Sequence, residues 1–236
     1  YFHNWPNSFK NKETPLTKRR IEGYKKALYF ATQEERGNTE ILNITVNHTP
    51  TKFRDVKNQI DILKIELHRP LQSKDSVTIN ISYRVKIPLA KYTKYGKTST
   101  GYHLRFWHLT PAVYKNGWQL MSNLNVDDLL MDITDYNIKL TTGKQFIITS
   151  NLAEKHTEKH TKNTVYLSGK QKTDIIININ TERKFKTFKT DDFDIVTDVL
   201  PVEIRQELAS DILNRALLVI KEVLGEYSHN KILIDK

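Results

Sequence analysis

The densest set of metal-binding side chains in these 236 residues is the run "EKHTEKHTK", with His156, Glu158 and His160. Two imidazoles four residues apart share one face of a helix. There they can hold a zinc ion, and a carboxylate directly after the first can act as base. Here the order is His156-Thr-Glu158-Lys-His160, so the carboxylate falls one position late. The run also lies between two strand patterns and reads as a hairpin loop, on which no helical spacing is imposed. The stretch "VDDLLMD" supplies Asp127, Asp128 and Asp132 without the spacing and glycine of a calcium loop. A turn or a helix cap is the ordinary use of such aspartates, whose carboxylates compete well for nearby backbone donors. With no Cys in the chain, thiolate metal sites, disulfides and a Cys nucleophile are all excluded. No glycine-rich phosphate loop and no G-x-S-x-G elbow occurs. Three sequons, at Asn43, Asn47 and Asn80, read as chance in an Asn-rich chain, since Asn80 falls in the middle of a strand pattern. The sequence shows no complete active site and no metal site.

Charge points to no nucleic-acid partner. The net charge is +10, from 37 Lys+Arg against 27 Asp+Glu. The lysines are scattered singly along strand patterns, and none of the usual nucleic-acid motifs accompanies them. The densest cluster, Lys18-Arg19-Arg20 with Lys25-Lys26, lies on a predicted helix and reads as a solvated face. No apolar run approaches the roughly 18 residues of a membrane span, so the chain has no transmembrane segment. It begins with Tyr1 rather than Met and reads as a piece of something longer.

The elements follow from hydrophobic period. Thr14-Pro15 supplies a helix cap and first residue. Ile21, Tyr24, Leu28 and Ala31 continue one helical face toward a stop at Gly37, with Gly23 as a weak point that could divide it into two short helices. From Thr39 the period becomes two. "TEILNITVN" and "ILKIELH" (Leu63, Ile65 and Leu67 in phase) are strands. "SVTINISYRVKI", Ser76 to Ile87, is the clearest, with six apolar residues on one face and polar ones on the other. Strands follow as "YNIKLTT", "KQFIITS", "NTVYLSG", "TDIIININ", "RKFKTFK" and "FDIVTD". Beyond Asp198 a helix is predicted from Pro201 to Leu224, ended by Gly225, and "NKILIDK" adds one strand. The expected fold is mainly β: an antiparallel sandwich or open-sheet domain over 1–198 with an N-terminal helical insertion. Residues 199–236 are expected to open a second, incomplete α+β domain.

One stretch breaks the texture. "GYHLRFWHLTPAVYKNGW" holds Tyr102, Phe106, Trp107, Tyr114 and Trp118 around a Pro and a Gly-Trp corner. Followed by "DYNIKLTTGKQFIITSNL", it resembles the N-terminal β-domain of aminopeptidase N-like zinc metallopeptidases, the gluzincins. The matching features are Trp107, Pro111, Tyr114, Gly117-Trp118, Asp127-Asp128, Tyr136-Asn137-Ile138 and Ser150-Asn151. "YFHNWPNSF" is similar to the family's "L-x-L-x-P-N-x-F" strand. "VLGEYSHNKILI" is similar to the opening of its thermolysin-like catalytic domain, with Ser228 where a Pro is usual. The "T-Q-x-E-P" of many members is replaced here by "LRFWHLTP".

The resemblance implies that the whole protein holds zinc through two His and a Glu and cleaves residues from peptide N-termini. The β-domain would roof the cleft. It further implies that this chain is inactive alone, since H-E-x-x-H and the distal Glu would lie after Lys236. Its partners would be the remainder of its own catalytic domain and peptide substrates, and a bacterial cell envelope or periplasm would be its place. Arg105, Trp107, Tyr114 and Trp118 become substrate-side or domain-interface residues, with Trp107 and Trp118 equally suited to the sandwich core. Two rivals remain: a non-catalytic β-sandwich module that binds a partner or surface glycan, and a relative whose zinc motif has decayed.

Overall fold

The computed structural model describes residues 1–126, 129–159, 162–182, 185–200 and 204–235. They form two compact units, one of Tyr1–Ser99 with His103–Thr134 and one of Thr100–Tyr102 with Asp135–Lys236. The fold is mainly β, with short antiparallel strands and few helices.

In the first unit two sheets face each other. Asn38–Val46 pairs antiparallel with Ile79–Lys86 and with Thr49–Pro50. The second sheet runs Phe53–Val56, Gln59–Ile65, Phe2–His3, Thr110–Pro111. Ile44 and Val46 from one sheet meet Leu63 and Ile65 from the other, and Ile79, Ile81 and Tyr83 close over them. This is the wet-face, dry-face alternation expected of a sandwich. The clearest predicted strand is shorter than its pattern: it starts at Ile79, because the Thr78 N–H donates instead to Asn47 Oδ1 at 3.0 Å. Leu67 likewise lies beyond the strand that ends at Ile65 and is exposed.

Gln59–Ile65 also carries a buried carboxylate. Asp61 is fully buried and accepts from Ser8 Oγ (3.1 Å), Ser122 Oγ (2.8 Å) and the Asn123 N–H (2.7 Å). A buried charge is tolerated only when so satisfied, and this one ties the N-terminus to the segment after the aromatic stretch.

The first helix is Pro15–Glu22, capped by Thr14, whose Oγ1 accepts the Thr17 N–H at 3.3 Å. It does not run on to Ala31 as its periodicity suggests. Gly23 ends it, and Tyr24 takes a left-handed φ of 61°. Leu28 still reaches the core with Phe9, Leu16, Tyr92 and Val126. The carbonyls that a longer helix would have bonded are taken by Arg36: its guanidinium donates to Leu28 O (2.7 Å), Tyr29 O (3.1 Å) and Ala31 O (3.2 Å).

In the second unit the described part of the run "EKHTEKHTK" is strand rather than loop; His160 and Thr161 lie outside the described residues. Ala153–Lys159 pairs with Lys162–Lys172 in a long hairpin beside Thr134–Gly143. Cross-strand pairing carries strand into what its place between two strand patterns suggested was a loop. Ile147–Ser150 pairs with Ile177–Asn180. There Gly101 is required by close approach, because a Cβ would stand 1.8 Å from the Ile179 carbonyl oxygen.

Lys186–Lys189 and Asp194–Thr197 are antiparallel, while Lys231–Ile234 joins Asp194–Thr197 in parallel. A parallel pair needs a crossover, and the helix Gln206–Leu224 supplies it. This helix starts later than its pattern. Residues 201–203 lie outside the described residues, and Arg205, with φ −71° and ψ 141°, precedes the first helical residue, leaving Ile204 outside the helix. Gly225 stops it with a φ of 82°. Leu213 and Leu217, one turn apart, pack with Phe193, Ile195 and Ile232, and Ala209, a turn earlier, is buried.

Candidate functional site

The aromatic stretch divides into two structures. Its first half turns at Phe106, whose φ is 53°, so that Leu104 and Phe106 are both buried. Between them Arg105 folds back on the rings: its guanidinium lies 4.4 Å from the Phe106 centroid and 5.1 Å from that of Tyr95. It also donates to Tyr95 Oη at 2.6 Å. Tyr95 stands edge-on to Phe106 and His103. Together with Trp5, Phe9, Pro88, Trp107 and Val126 these residues wall a narrow cavity with about 40 Å³ of room for a water-sized sphere. The Trp107 Nε1–H, buried here, finds no acceptor among the described residues. Its walls are mainly carbon with one stacked cation, and among the described residues no carboxylate lines it, so they supply no acid–base pair there.

The second half is a surface turn. Tyr114 and Trp118 form a bridge across Asn116 (φ 54°) and Gly117 (φ 133°), the left-handed residues that let the chain reverse. Trp118 packs edge-on to Tyr114 at 5.2 Å and to Tyr1 at 5.3 Å. Tyr114 is 67 % exposed and Trp118 46 %. The structure therefore places Arg105 and Trp107 on a cavity wall and Tyr114 and Trp118 on the surface. Trp118 is not a core residue.

Two histidines are held neutral. Burial pushes His3 down to about 4; it is wholly enclosed and stacked on Trp5 at 4.2 Å. Burial alone pushes His108 to about 4 as well. Neither carries a proton at neutral pH, so neither serves there as a general acid.

Among the described residues no set fits zinc. His156 Nε2 lies 3.4 Å from Glu154 Oε2, but Glu154 is already bound by Lys231 Nζ at 2.7 Å and by the Ser150 N–H at 2.9 Å. His160, Asp127 and Asp128 lie outside the described residues. Asp132 accepts the Ile133 N–H at 2.8 Å, a turn role. Among the described residues no group of three His, Cys, Asp or Glu could hold a metal ion.

Sequence reasoning missed a polar groove in the second unit, lined by Ser168, Lys170, Lys172, Ser228, His229 and Asn230 and about 550 Å³ in volume. No motif marks it. Its key residue is buried through a backbone kink that strand parity does not anticipate.

No family model matches the chain, and no curated protein matches its sequence. Solved structures do. An M1 zinc metallopeptidase from Deinococcus radiodurans aligns with a TM-score of 0.53 at 11 % identity. A mutant of that peptidase bound to a Tyr-Ser-Ala substrate aligns at 0.54 and 11 %, and a two-domain M1 zinc metallopeptidase mutant bound to L-arginine at 0.52 and 11 %. Each alignment covers 84 % of this chain and 46 % of the other. The chain spans a little under half the length of the structures it matches. At such identity the likeness is one of fold: most of this chain is built as part of an M1 zinc metallopeptidase is built.

Proposed function

We propose that residues 1–236 are the non-catalytic N-terminal portion of a zinc-dependent, aminopeptidase-like metallopeptidase. In this reading the β-rich part, to about residue 198, roofs the peptide cleft. The helix Gln206–Leu224 and strand Lys231–Ile234 open the catalytic domain. The boundary then falls inside the β-α-β unit, and the parallel pairing of Asp194–Thr197 with Lys231–Ile234 is where the two domains join.

One observation carries the reading. The helix has a second apolar flank, Leu208, Ile212, Val219 and Val223, spaced four, seven and four residues apart on one side. These residues are about half to three-quarters exposed. A helix apolar on two flanks is made to be covered on both, and solved relatives of this fold are about twice as long. Arg105 and the aromatic stretch then face peptide or catalytic domain, and the zinc, held elsewhere in the protein, supplies an activated water.

The exposed pair Tyr114 and Trp118, backed by a half-buried Tyr1, favours a second reading, a binding module for a partner or surface glycan, since aromatic faces in the open are common binding platforms. Metal analysis after dialysis and a fluorogenic aminoacyl substrate decide between them. We expect stoichiometric zinc and turnover in the protein extended through its downstream sequence, and neither in residues 1–236. An extended protein that holds no zinc and cleaves nothing sinks the peptidase reading and leaves the binding module or a relative whose zinc motif has decayed.

A further inference from the structure

The groove of the second unit contains a lysine out of place. Along Lys162–Lys172, Val165 and Leu167 are buried while Tyr166, Ser168 and Lys170 are exposed. Strand alternation would expose residue 172 with them. Instead Gln171 adopts a left-handed φ of 52°, pinned by its N–H donating to Asp135 Oδ1 at 2.8 Å. The next side chain is thereby swung inward, and Lys172 is only 8 % exposed. Its stem crosses Gly169, where a Cβ would meet Lys172 Cγ at 3.2 Å and Leu152 Cδ2 at 2.6 Å.

No carboxylate receives this ammonium among the described residues. The nearby anion, Glu154, is bound to Lys231, which also donates to Leu152 O at 3.2 Å. Asp135, the carboxylate in the groove wall, has one oxygen committed to Gln171. Burial first and the charge of Lys231 second push the Lys172 pKa down. His229 is lowered by burial and then by Lys172, so it adds a neutral ring. Ser168, Lys170, Ser228 and Asn230 line the same groove with side chains that make no hydrogen bond or ion pair among the described residues. The stem of Lys172 is buried while its ammonium reaches the groove with no carboxylate partner among the described residues. Held there by a left-handed backbone residue and flanked by donors without partners, it presents a fixed positive charge to the groove.

We propose that this groove binds a small oxyanion, a carboxylate or a phosphate group, with Lys172 as its anchoring charge and Lys170, Ser168, Ser228 and Asn230 as further donors. The inference is independent of the peptidase reading. Thermal unfolding of the chain in inorganic phosphate, in acetate and in chloride, at equal ionic strength, tests it. For a millimolar site, about 100 mM ligand should raise the midpoint by a few degrees over chloride, and the stronger of the two arms names the group. Lys172→Met keeps the stem and removes the charge. It should abolish the response, while Lys139→Met, elsewhere on the surface, should leave the response intact. No oxyanion response in the unaltered chain, or the same response in Lys172→Met, overturns the proposal. Should Lys172→Met fail to fold, amide shifts of the unaltered chain titrated with phosphate decide. Shifts centred on residues 168–172 and 228–230 support the site; scattered or absent shifts refute it.

Discussion

The two longer helices of this chain solve opposite problems. Pro15–Glu22 is short and carries Lys18, Arg19 and Arg20, yet its contacts close within its own unit. Leu16 is fully buried with Phe9, Leu28, Tyr92 and Val126, and Thr14 caps its first turn. Gln206–Leu224 is long and apolar, yet half finished. Ala209 and Leu217 are buried, while Val219 is 62 % and Val223 75 % exposed. Propensity favours the second helix and tertiary contact favours the first. A helix satisfied by its neighbours needs little hydrophobic surface; one with surplus surface announces a neighbour.

Substitutions should sharpen that contrast, beginning with the largest effect. Leu16→Ala opens a cavity in a closed cluster and should cost about 2–5 kcal/mol by denaturant unfolding. Next comes pH. His3 and His108 each sit at about 4 in the folded chain, against 6.5 when unperturbed. On acidification the unfolded chain takes up these protons first. Their contribution is therefore intact above pH 6.5 and lost as pH falls toward 4, by up to about 3 kcal/mol per histidine. His108→Gln should flatten that part of the stability–pH curve, and an unchanged slope would break the argument. Thr14→Ala removes the cap and should cost about 1 kcal/mol. Val223→Ala, at an open position, should change the stability of this chain by less than about 0.5 kcal/mol.

Much of the β framework was legible because side-chain period reports it directly. Ile79, Ile81, Tyr83 and Val85 alternate in the sequence and in the sheet. What escaped depends on single backbone conformations or distant partners. Tyr24 and Gln171 turn left-handed without being glycine, so the first helix ended early and Lys172 faced inward against parity. Arg36 satisfies carbonyls seven and eight residues back, and Asp61 collects donors from segments over fifty residues away. No local pattern encodes either. Of the site residues, the aromatic stretch was visible as composition, but its division into a cavity wall at Trp107 and a surface ladder at Trp118 follows from left-handed turns at Phe106 and Asn116. His156 read as loop because its run lies between two strand patterns, and its strand exists through pairing with Val165.

The central claim is that the open flank of Gln206–Leu224 is a seam within a longer protein. Hydrogen exchange, followed in residues 1–236 and in the same protein extended downstream, tests it most directly. The account predicts that amides of Gln206–Leu224 exchange faster than those of Ile79–Lys86 in the shorter chain and rise to equal protection in the longer one. Equal protection of both segments in the dilute shorter chain, with no change on extension, would contradict it.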